Sequence, residues 1–245
     1  MIKKTDGGVT AAKGFEAIGI AAGIKKGKKD MALIYSRIPC EVAGTFTTNV
    51  VKAAPVKWDQ SVVYGGGSVH AVVVNSGVAN ACTGEEGLGY CKQTAEKAAE
   101  LFGIRADQVL VASTGVIGAQ IPIDKIRAGI EIMQPMLAHT QAAATLEAEA
   151  IMTTDTVKKE VVVELTLGGK TVTIGGMCKG SGMIHPNMCT MLSFVTTDAA
   201  IDKDLLQQAL SSSVRDTYNM VSVDGDTSTN DTVLLLANGL AQNEK

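Results

Sequence analysis

The stretch CKGSGMIHPNMCTMLSFVTTDA, residues 178–199, joins a polar, glycine-rich segment to an apolar run that is typical of a buried strand. Thr190 lies at this junction. A threonine at a strand start has an ordinary structural explanation, because its β-branched side chain suits extended backbone. The chemical alternative is a nucleophile: cleavage before Thr190 would free an α-amino group that can act as base for the hydroxyl of the same residue. The reference pKa of such an amine, about 7.7–8, leaves a useful fraction neutral at cellular pH.

Acyl transfer also needs hydrogen-bond donors for the oxyanion of its tetrahedral intermediate. The sequence STGVIG, residues 113–118, follows an apolar segment that is predicted to be a buried strand. Its glycine would let a substrate approach the backbone closely. The same pattern fits a strand-to-loop turn that simply needs small residues, so the residue types alone leave both interpretations open.

Hydrophobic periodicity and turn residues predict the elements that would position these motifs. A hairpin is predicted over 159–177, with its turn at Gly168 and Gly169. Pro39 is predicted to separate two strands, and Pro135 to kink or end a helix. The remaining predictions are strands at 30–36, 40–48, 68–77, 108–115 and 190–197, a strand or short helix at 232–239, and helices at 87–104, 122–138, 140–151 and 202–218. This irregular alternation indicates an α+β layered fold.

Composition limits the class of protein. The chain has 245 residues, 46% hydrophobic and 19% charged, which is typical of one large or two small globular domains. A net charge of −3 gives no electrostatic basis for binding nucleic acid or an anionic membrane. We expect neither a secretory signal nor a membrane-spanning segment. Five cysteines at irregular spacing favour free thiols and a cytoplasmic location.

Seven segments form an ordered series that covers nearly all of the chain. They are GGVTAAKGF, AGTFTTNVVKAAPV, VVNSGVANACTGEEG, STGVIGAQIP, AEAIMTTDT, GMCKGSGMIHPNMCTML and SVDGDTSTNDT. Each is similar to a signature of the ornithine acetyltransferases, also called glutamate N-acetyltransferases, of arginine biosynthesis, and the order is the same. The chain therefore resembles this family.

The resemblance implies a fold, a processing step and a reaction. The fold is a layered helix/sheet/sheet/helix sandwich of the ornithine acetyltransferase and self-cleaving aminopeptidase type. Self-cleavage between Cys189 and Thr190 would give an α chain of residues 1–189 and a β chain that starts at 190. Thr190 would take an acetyl group from N²-acetyl-L-ornithine and pass it to L-glutamate in a ping-pong reaction through an acetyl-threonine enzyme. Acetyl-CoA is an alternative donor in some members, and the implied assembly is a heterotetramer of two α and two β chains.

Four further positions match site residues of the family. Thr114 and Gly115 correspond to its oxyanion hole, and Thr153 to a substrate-contacting threonine. Lys179 corresponds to a substrate-binding lysine, a type of side chain that suits the α-carboxylate present in both substrates. Without the resemblance, Lys179 would be interpreted as a solvated surface charge and Thr153 as a turn or cap residue. We expect no cofactor.

Three motifs that suggest other ligands fail on spacing. GMCKGSG is not a phosphate loop, because its lysine precedes the second glycine. DGDTSTND, residues 224–231, lacks the glycine and the glutamate of a calcium loop, and Leu235 stands at the glutamate position. Cys178, His185 and Cys189 match no familiar zinc spacing. We therefore expect no metal.

Two departures from the family pattern bear on activity. Cys189 stands where the family usually has alanine before the cleaved bond, and because cysteine is small and often buried we expect cleavage to survive. Family members continue past residue 245, so residues 190–245 are expected to be the start of a truncated β chain. Two alternatives stay open: a self-cleaving aminopeptidase or amidase, which passes the acyl group to water, and an inactive truncated fragment that binds amino acids.

Overall fold

The structure, a computed structural model, describes residues 2–184 and 191–244. Its strands are β1 (Ile2–Thr5), β2 (Phe15–Ile20), β3 (Met31–Phe46), β4 (Val69–Val78), β5 (Val109–Val116), β6 (Lys159–Leu167), β7 (Lys170–Lys179), β8 (Leu192–Thr197) and β9 (Thr232–Ala237). Its α-helices are α1 (Ala54–Tyr64), α2 (Gly84–Phe102), α3 (Ile123–Met133), α4 (Gln141–Ala150) and α5 (Lys203–Arg215). Short 3-10 turns occupy Ala106–Gln108, Gln134–Met136 and Tyr218–Met220.

Strand β3 joins two sheets. Its first part pairs with β2 and β4, and its last part, from Glu41 to Phe46, pairs with β9. The strands follow the order β1-β6-β7-β8-β9-β3-β4-β5, with β2 on β3. The prediction of two strands separated by Pro39 is therefore wrong. Pro39 has no N–H to donate, and it lies within β3 where the β3–β4 register shifts, between Tyr35 and Cys40.

The two sheets face each other across the main core, and helices cover their outer faces. Alternate residues of one strand belong to different layers: Val72 of β4 lies in the core between the sheets, and Val73 lies in the cluster that includes α2 and α3. In β9, Leu234 faces the other sheet and Val233 packs with α5. Burial on both faces explains the continuous apolar sequence of β4. The predicted layer order of helix, sheet, sheet and helix is confirmed.

Several predicted ends have a visible physical cause. Helix α2 ends at Gly103, which adopts φ 65° and donates its N–H to Ala99 O. Helix α3 ends at Met133, and Pro135 lies in the 3-10 turn that follows, as predicted. The segment at 232–239, predicted as a strand or short helix, is a strand that runs parallel to β8.

Three elements escaped the sequence analysis: β1, β2 and α1. Strands β1 and β2 are short, and each is paired along its length with a much longer strand. Helix α1 begins with a proline in its first turn, a favoured position, but its sequence APVKWDQSVVY shows no strong apolar periodicity. Tertiary partners therefore stabilise these elements more than local sequence does.

Four of the five cysteines lie in the described part of the chain, and all four are free thiols. Burial raises the pKa of the Cys40 thiol to about 12, so this side chain is an inert core residue. None of the helices in residues 2–184 and 191–244 combines the length and the apolar character needed to cross a bilayer.

Candidate active site

Three of the predicted site residues meet around one ammonium group. Lys179 Nζ donates to Thr114 Oγ1 at 3.0 Å and to Thr153 Oγ1 at 3.3 Å. Thr114 lies near the end of β5, Lys179 is the last residue of β7, and Thr153 follows α4. The two threonines are 65 and 26 residues away from the lysine in sequence, so only the tertiary fold brings them together.

Lys179 is buried, with an exposed fraction of 3%. This burial lowers the pKa of its ammonium group, and the negative charge of Asp155 opposes that shift. Within the described residues no carboxylate lies within ion-pair distance of Lys179 Nζ. The interpretation of Lys179 as a solvated surface charge is therefore wrong, and its environment favours an incoming anion.

Thr114 and Gly115 lie where β5 passes from the core to the surface. Thr114 is buried and Gly115 is exposed. Gly115 has φ 134°, and a Cβ added there would lie 2.3 Å from Gly77 C and 2.6 Å from Val78 N. Only glycine fits this close approach of two parallel strand ends. The expectation that small residues are needed after this strand therefore has a specific cause.

Asp155 ties together the segments on either side of the lysine. Its carboxylate accepts N–H bonds from Gly180 at 2.7 Å and from Thr153 at 3.3 Å, and pairs with Lys159 Nζ at 2.6 Å. Burial alone would raise the pKa of Asp155, but these hydrogen bonds hold it below the usual range. Asp155 thereby holds Thr153 next to the end of β7, where Lys179 lies.

A cleft of about 570 Å³ adjoins this cluster. Its lining includes three lysines, two carboxylates and Thr153: Lys25, Lys28, Lys29, Glu149, Asp155 and Thr153. Lys25 Nζ also donates to Met152 O at 2.7 Å, which fastens the lysine-rich segment to the loop after α4. The cleft therefore gives Thr153 access to a polar surface on which basic and acidic side chains are mixed.

The segment 224–231 is used for backbone contacts. Asp224, the first position of the imagined calcium loop, accepts the N–H groups of Met183 at 2.6 Å and Ile184 at 2.9 Å. These bonds hold the pKa of Asp224 below its usual range. Among the described residues there is no group of three or more His, Cys, Asp or Glu side chains that could hold a metal ion.

Thr190, Cys189 and His185 lie outside the described residues. Met191, which follows Thr190, donates its N–H to Asp231 in the loop before β9, and its carbonyl accepts the N–H of Thr232, the first residue of β9. Strand β8 then begins at Leu192. The structure thus describes the strand that the predicted nucleophile precedes.

Two groups near the site were missed by sequence reasoning: Asp155 and the pair Asn230–Asp231. Asp155 lies in the polar stretch MTTDT between α4 and β6. A carboxylate is a strong acceptor for backbone N–H groups in a loop. An aspartate in this polar stretch was therefore the sequence feature from which the contacts of Asp155 could have been predicted. Asn230 and Asp231 lie in the segment considered only as a calcium loop, and their burial could not be inferred from its polar composition.

Comparison with known proteins places this architecture in a family. Residues 16–245 match the model of the ArgJ family. The chain belongs to the ArgJ family. It is 55% identical over 242 residues to the arginine biosynthesis bifunctional protein ArgJ of Symbiobacterium thermophilum, and 52% identical over 241 residues to that of Gloeobacter violaceus. The alignments cover 98% of this chain but 60% and 59% of those proteins, so this ArgJ-family chain spans about three-fifths of the length of its curated relatives.

Solved structures support the same assignment. The crystal structure of ArgJ from Bacillus halodurans matches with a TM-score of 0.71 and 43% identity, covering 78% of this chain and 98% of that one. Ornithine acetyltransferase from Mycobacterium tuberculosis, solved with ornithine, matches with a TM-score of 0.71 and 39% identity over 78% of this chain and 100% of that one. The L-aminopeptidase D-Ala-esterase/amidase of Ochrobactrum anthropi, a variant of the Ntn hydrolase fold, matches with a TM-score of 0.58 and 13% identity, covering 95% of this chain and 74% of that one. This last likeness concerns the fold alone, and the predicted fold type is confirmed.

Proposed function

We propose that this chain belongs to a self-processing acetyltransferase that moves an acetyl group from N²-acetyl-L-ornithine to L-glutamate through an acetyl-threonine at Thr190. The observation that carries the proposal is the meeting of Thr114, Thr153 and Lys179 around one buried ammonium group in an ArgJ-family chain. Because the chain spans about three-fifths of its relatives, the proposal concerns the protein of which these residues form the α chain, 1–189, and the beginning of the β chain, from 190.

The buried ammonium of Lys179 supplies the binding energy for the shared part of both substrates. Acetylornithine and glutamate each carry an α-carboxylate, and a buried cation without an ion-pair partner in the described residues is a strong site for one. Thr153, held by Asp155, adds a hydroxyl beside the same charge. One carboxylate subsite used in turn by donor and acceptor is compatible with a ping-pong reaction.

Lys179 also sets the hydrogen-bonding direction of Thr114. A lysine ammonium only donates, so Thr114 Oγ1 accepts from Lys179 Nζ, and the threonine hydroxyl keeps its own hydrogen to donate elsewhere. That hydrogen, together with the backbone at Gly115, is suited to stabilise the oxyanion of the tetrahedral intermediate. Loss of one such donor typically costs about 10²–10³ in rate.

The reaction has two balanced halves. Thr190 Oγ1 attacks the acetyl carbonyl carbon, the bond to the ornithine nitrogen breaks, and the hydroxyl proton passes through the Thr190 α-amine to the leaving nitrogen. The glutamate amine then attacks the threonine ester, and its proton returns by the same amine to Thr190 Oγ1. Acetyl-CoA would serve as a second donor to the same threonine.

We propose no further cofactor and no nucleic-acid or membrane partner. We also propose an assembly of two α and two β chains, and a cytoplasmic location consistent with the four free thiols in the described part.

The deciding experiment is intact mass under denaturing conditions, followed by transfer of labelled acetyl from acetylornithine to glutamate. Both are measured on this chain. We expect two pieces that divide between Cys189 and Thr190 and sum to the whole plus one water, and labelled acetylglutamate as product. Thr190→Ala should abolish both. A Thr190→Ala protein that still divides at this bond would contradict the mechanism.

The second candidate is an aminopeptidase or amidase on the same fold, supported only by the fold likeness to the Ochrobactrum enzyme. It shares the nucleophile and the oxyanion hole but gives the acyl group to water. The products separate the two functions: acetylglutamate indicates transfer, and free acetate or a hydrolysed peptide amide indicates hydrolysis. An uncut chain that binds acetylornithine without turnover would instead support the third alternative, an inactive fragment.

A further inference from the structure

Two buried neighbours, Asn230 and Asp231, lie in the loop before β9 and have no role in the proposed chemistry. Their exposed fractions are 6% and 0%. Buried polar side chains are costly unless their hydrogen bonds are satisfied, so the partners of these two deserve an account. The partners belong to two different sheets.

Asn230 holds the sheet that carries the predicted oxyanion hole. Its Nδ2 donates to Ala79 O at 2.6 Å and to Ser113 O at 2.8 Å. Ser113 directly precedes Thr114 in β5, and Ala79 directly follows β4. Asn230 Oδ1 accepts from Thr229 Oγ1 at 2.5 Å, which is consistent with the amide orientation that points both donor hydrogens at the strand ends.

Asp231 holds the other sheet at the start of β8. Its Oδ1 accepts the N–H of Met191 at 3.1 Å, and the N–H of Thr232 donates to Met191 O at 3.0 Å. The backbone carbonyl of Asp231 accepts the N–H of Thr47 at 2.9 Å, which fixes the loop to the chain that follows β3. Met191 is the residue directly after Thr190, so this contact lies one residue away from the predicted nucleophile.

We propose that the Asn230–Asp231 pair is a brace that sets the separation between the end of β5 and the start of β8. The two residues are adjacent in sequence, so one peptide unit links a side chain fastened to Ser113 with a side chain fastened to Met191. Both are positioning residues, because each acts through a backbone contact and neither needs to touch the substrate. The inference rests on the proposed function, in which a displacement of about 1 Å between nucleophile and oxyanion hole can cost on the order of 10² in rate.

The carboxyl of Asp231 supports this role. Its Oδ2 has no hydrogen-bond partner among the described residues. Burial raises the pKa of Asp231 to about 8, against hydrogen bonds from Met191 and Ser228 and the charge of Lys179. Asp231 is therefore largely neutral below that pH, and Asp231→Asn is a close mimic that keeps an oxygen for the Met191 N–H.

Four variants test the brace. Asn230→Ala removes the contact with β5, and Asp231→Ala removes the contact with Met191. Asp231→Asn is the conservative counterpart of Asp231→Ala. Asn238→Ala is the matched control, since Asn238 is also buried and its Nδ2 also donates to a distant backbone carbonyl, Lys13 O, but at the opposite end of β9. Asn230→Ser, which keeps one donor on a shorter side chain, replaces Asn230→Ala if that variant does not fold.

The first readout is steady-state acetyl transfer and the rate of self-cleavage, measured beside the wild type. We expect Asn230→Ala to lower kcat about 100-fold while KM for acetylornithine changes less than about threefold. Asp231→Ala should slow both cleavage and transfer, and Asp231→Asn should restore both to within about tenfold of the wild type. Asn238→Ala should leave kcat unchanged in the folded protein. Equal losses in Asn238→Ala and Asn230→Ala would overturn the brace, because the effect would then be general destabilisation.

The second readout needs no turnover. Amide hydrogen exchange should rise in residues 109–116 for Asn230→Ala and in 191–197 for Asp231→Ala, and in neither segment for Asn238→Ala. If the wild type shows neither cleavage nor transfer, the proposed function is contradicted. The hydrogen-exchange pattern of the variants then still tests whether the Asn230–Asp231 pair acts as a brace. Unchanged exchange in both segments overturns the brace, whatever the activity.

Discussion

The ammonium group of Lys179 is the charge on which substrate binding depends in the proposed mechanism. A buried lysine loses much of its hydration, and the structure compensates with two threonine hydroxyls and the more distant charge of Asp155. Hydroxyls alone replace water poorly as partners of a cation. An α-carboxylate would complete this environment, and that is the physical basis for the predicted role.

Lys179→Met tests that role, because methionine keeps most of the volume and removes the charge. We expect KM for acetylornithine to rise roughly 10- to 100-fold, since a hydrogen bond to a charged group contributes about 1.5–3 kcal/mol. Lys158→Met is the matched control, because Lys158 is a partly exposed lysine that pairs with Glu160 and Thr145, away from the Lys179 cluster. An unchanged KM in Lys179→Met would contradict the carboxylate role.

The pH dependence has a defined sign. Burial lowers the pKa of Lys179, so the ammonium loses its proton at a lower pH than an ordinary lysine. KM for acetylornithine should therefore begin to rise on the alkaline side before surface lysines titrate. The KM–pH profile of Lys179→Met should lack this rise.

At the scale of elements, the site depends on how the loop after α4 is fastened to the end of β7. Asp155 makes this connection through bonds to Thr153 and Gly180, and Lys159 of β6 pairs with its carboxylate. Lys25 adds a bond to the same loop from the segment before β3. Thr153 is thus positioned by the β6–β7 hairpin, which follows it in sequence, and by the distant segment that contains Lys25.

Asp155→Ala should release Thr153 and the end of β7 together. We expect a stability loss of about 2–3 kcal/mol, the cost of leaving buried donors without an acceptor, and at least a tenfold loss of acetyl transfer. Asp198→Ala is the matched control, because Asp198 is also buried and accepts backbone N–H bonds, from Thr173 and Lys13, at a different place in the fold. Urea unfolding and transfer assays at a temperature where both variants are folded separate the effects: both should lose stability, and only Asp155→Ala should lose activity. Equal activity losses would contradict a specific role for Asp155.

At the scale of the whole molecule, three buried carboxyl groups link folding to pH. Burial raises the pKa of Asp59 and of Glu147 well above their usual values, and raises the pKa of Asp231 to about 8. Glu147 is the extreme case, since neither carboxyl oxygen has a hydrogen-bond partner in the described residues. In the folded chain these groups hold protons that the unfolded chain has already released near pH 4.

Stability should therefore fall as pH rises. Between the unfolded pKa near 4 and the raised folded pKa, the folded state binds more protons, so each such group lowers the free energy of unfolding as pH rises. We expect a larger free energy of unfolding at pH 5.5 than at pH 8. Glu147→Gln should reduce this slope in urea titrations, whereas Gln in place of the exposed Glu85 should not. A stability that rises between these pH values would contradict the assignment.

Local patterns predicted those features that depend on local physics. The apolar segments at 68–77 and 108–115 predicted strands, and Gly168–Gly169 indicated a hairpin turn; all three are present. The ordered motifs also predicted the family, because they cover nearly the whole chain. The continuity of β3 through Pro39, and the existence of β1, β2 and α1, depend on partner strands and helices that a local window does not contain.

The residue types at Thr114, Gly115, Thr153 and Lys179 were determined by the sequence itself, and the predicted chemistry followed from their resemblance to a family. Only the tertiary structure decided that Lys179 is buried, that it bonds both threonines, and that Asp155 and Asn230–Asp231 hold the neighbouring strand ends. Periodicity reports which face of an element is apolar, over a few residues. Desolvation and hydrogen-bond partners arise from segments tens to more than a hundred residues apart, such as Asn230 and Ser113, and exist only once the two sheets have packed together.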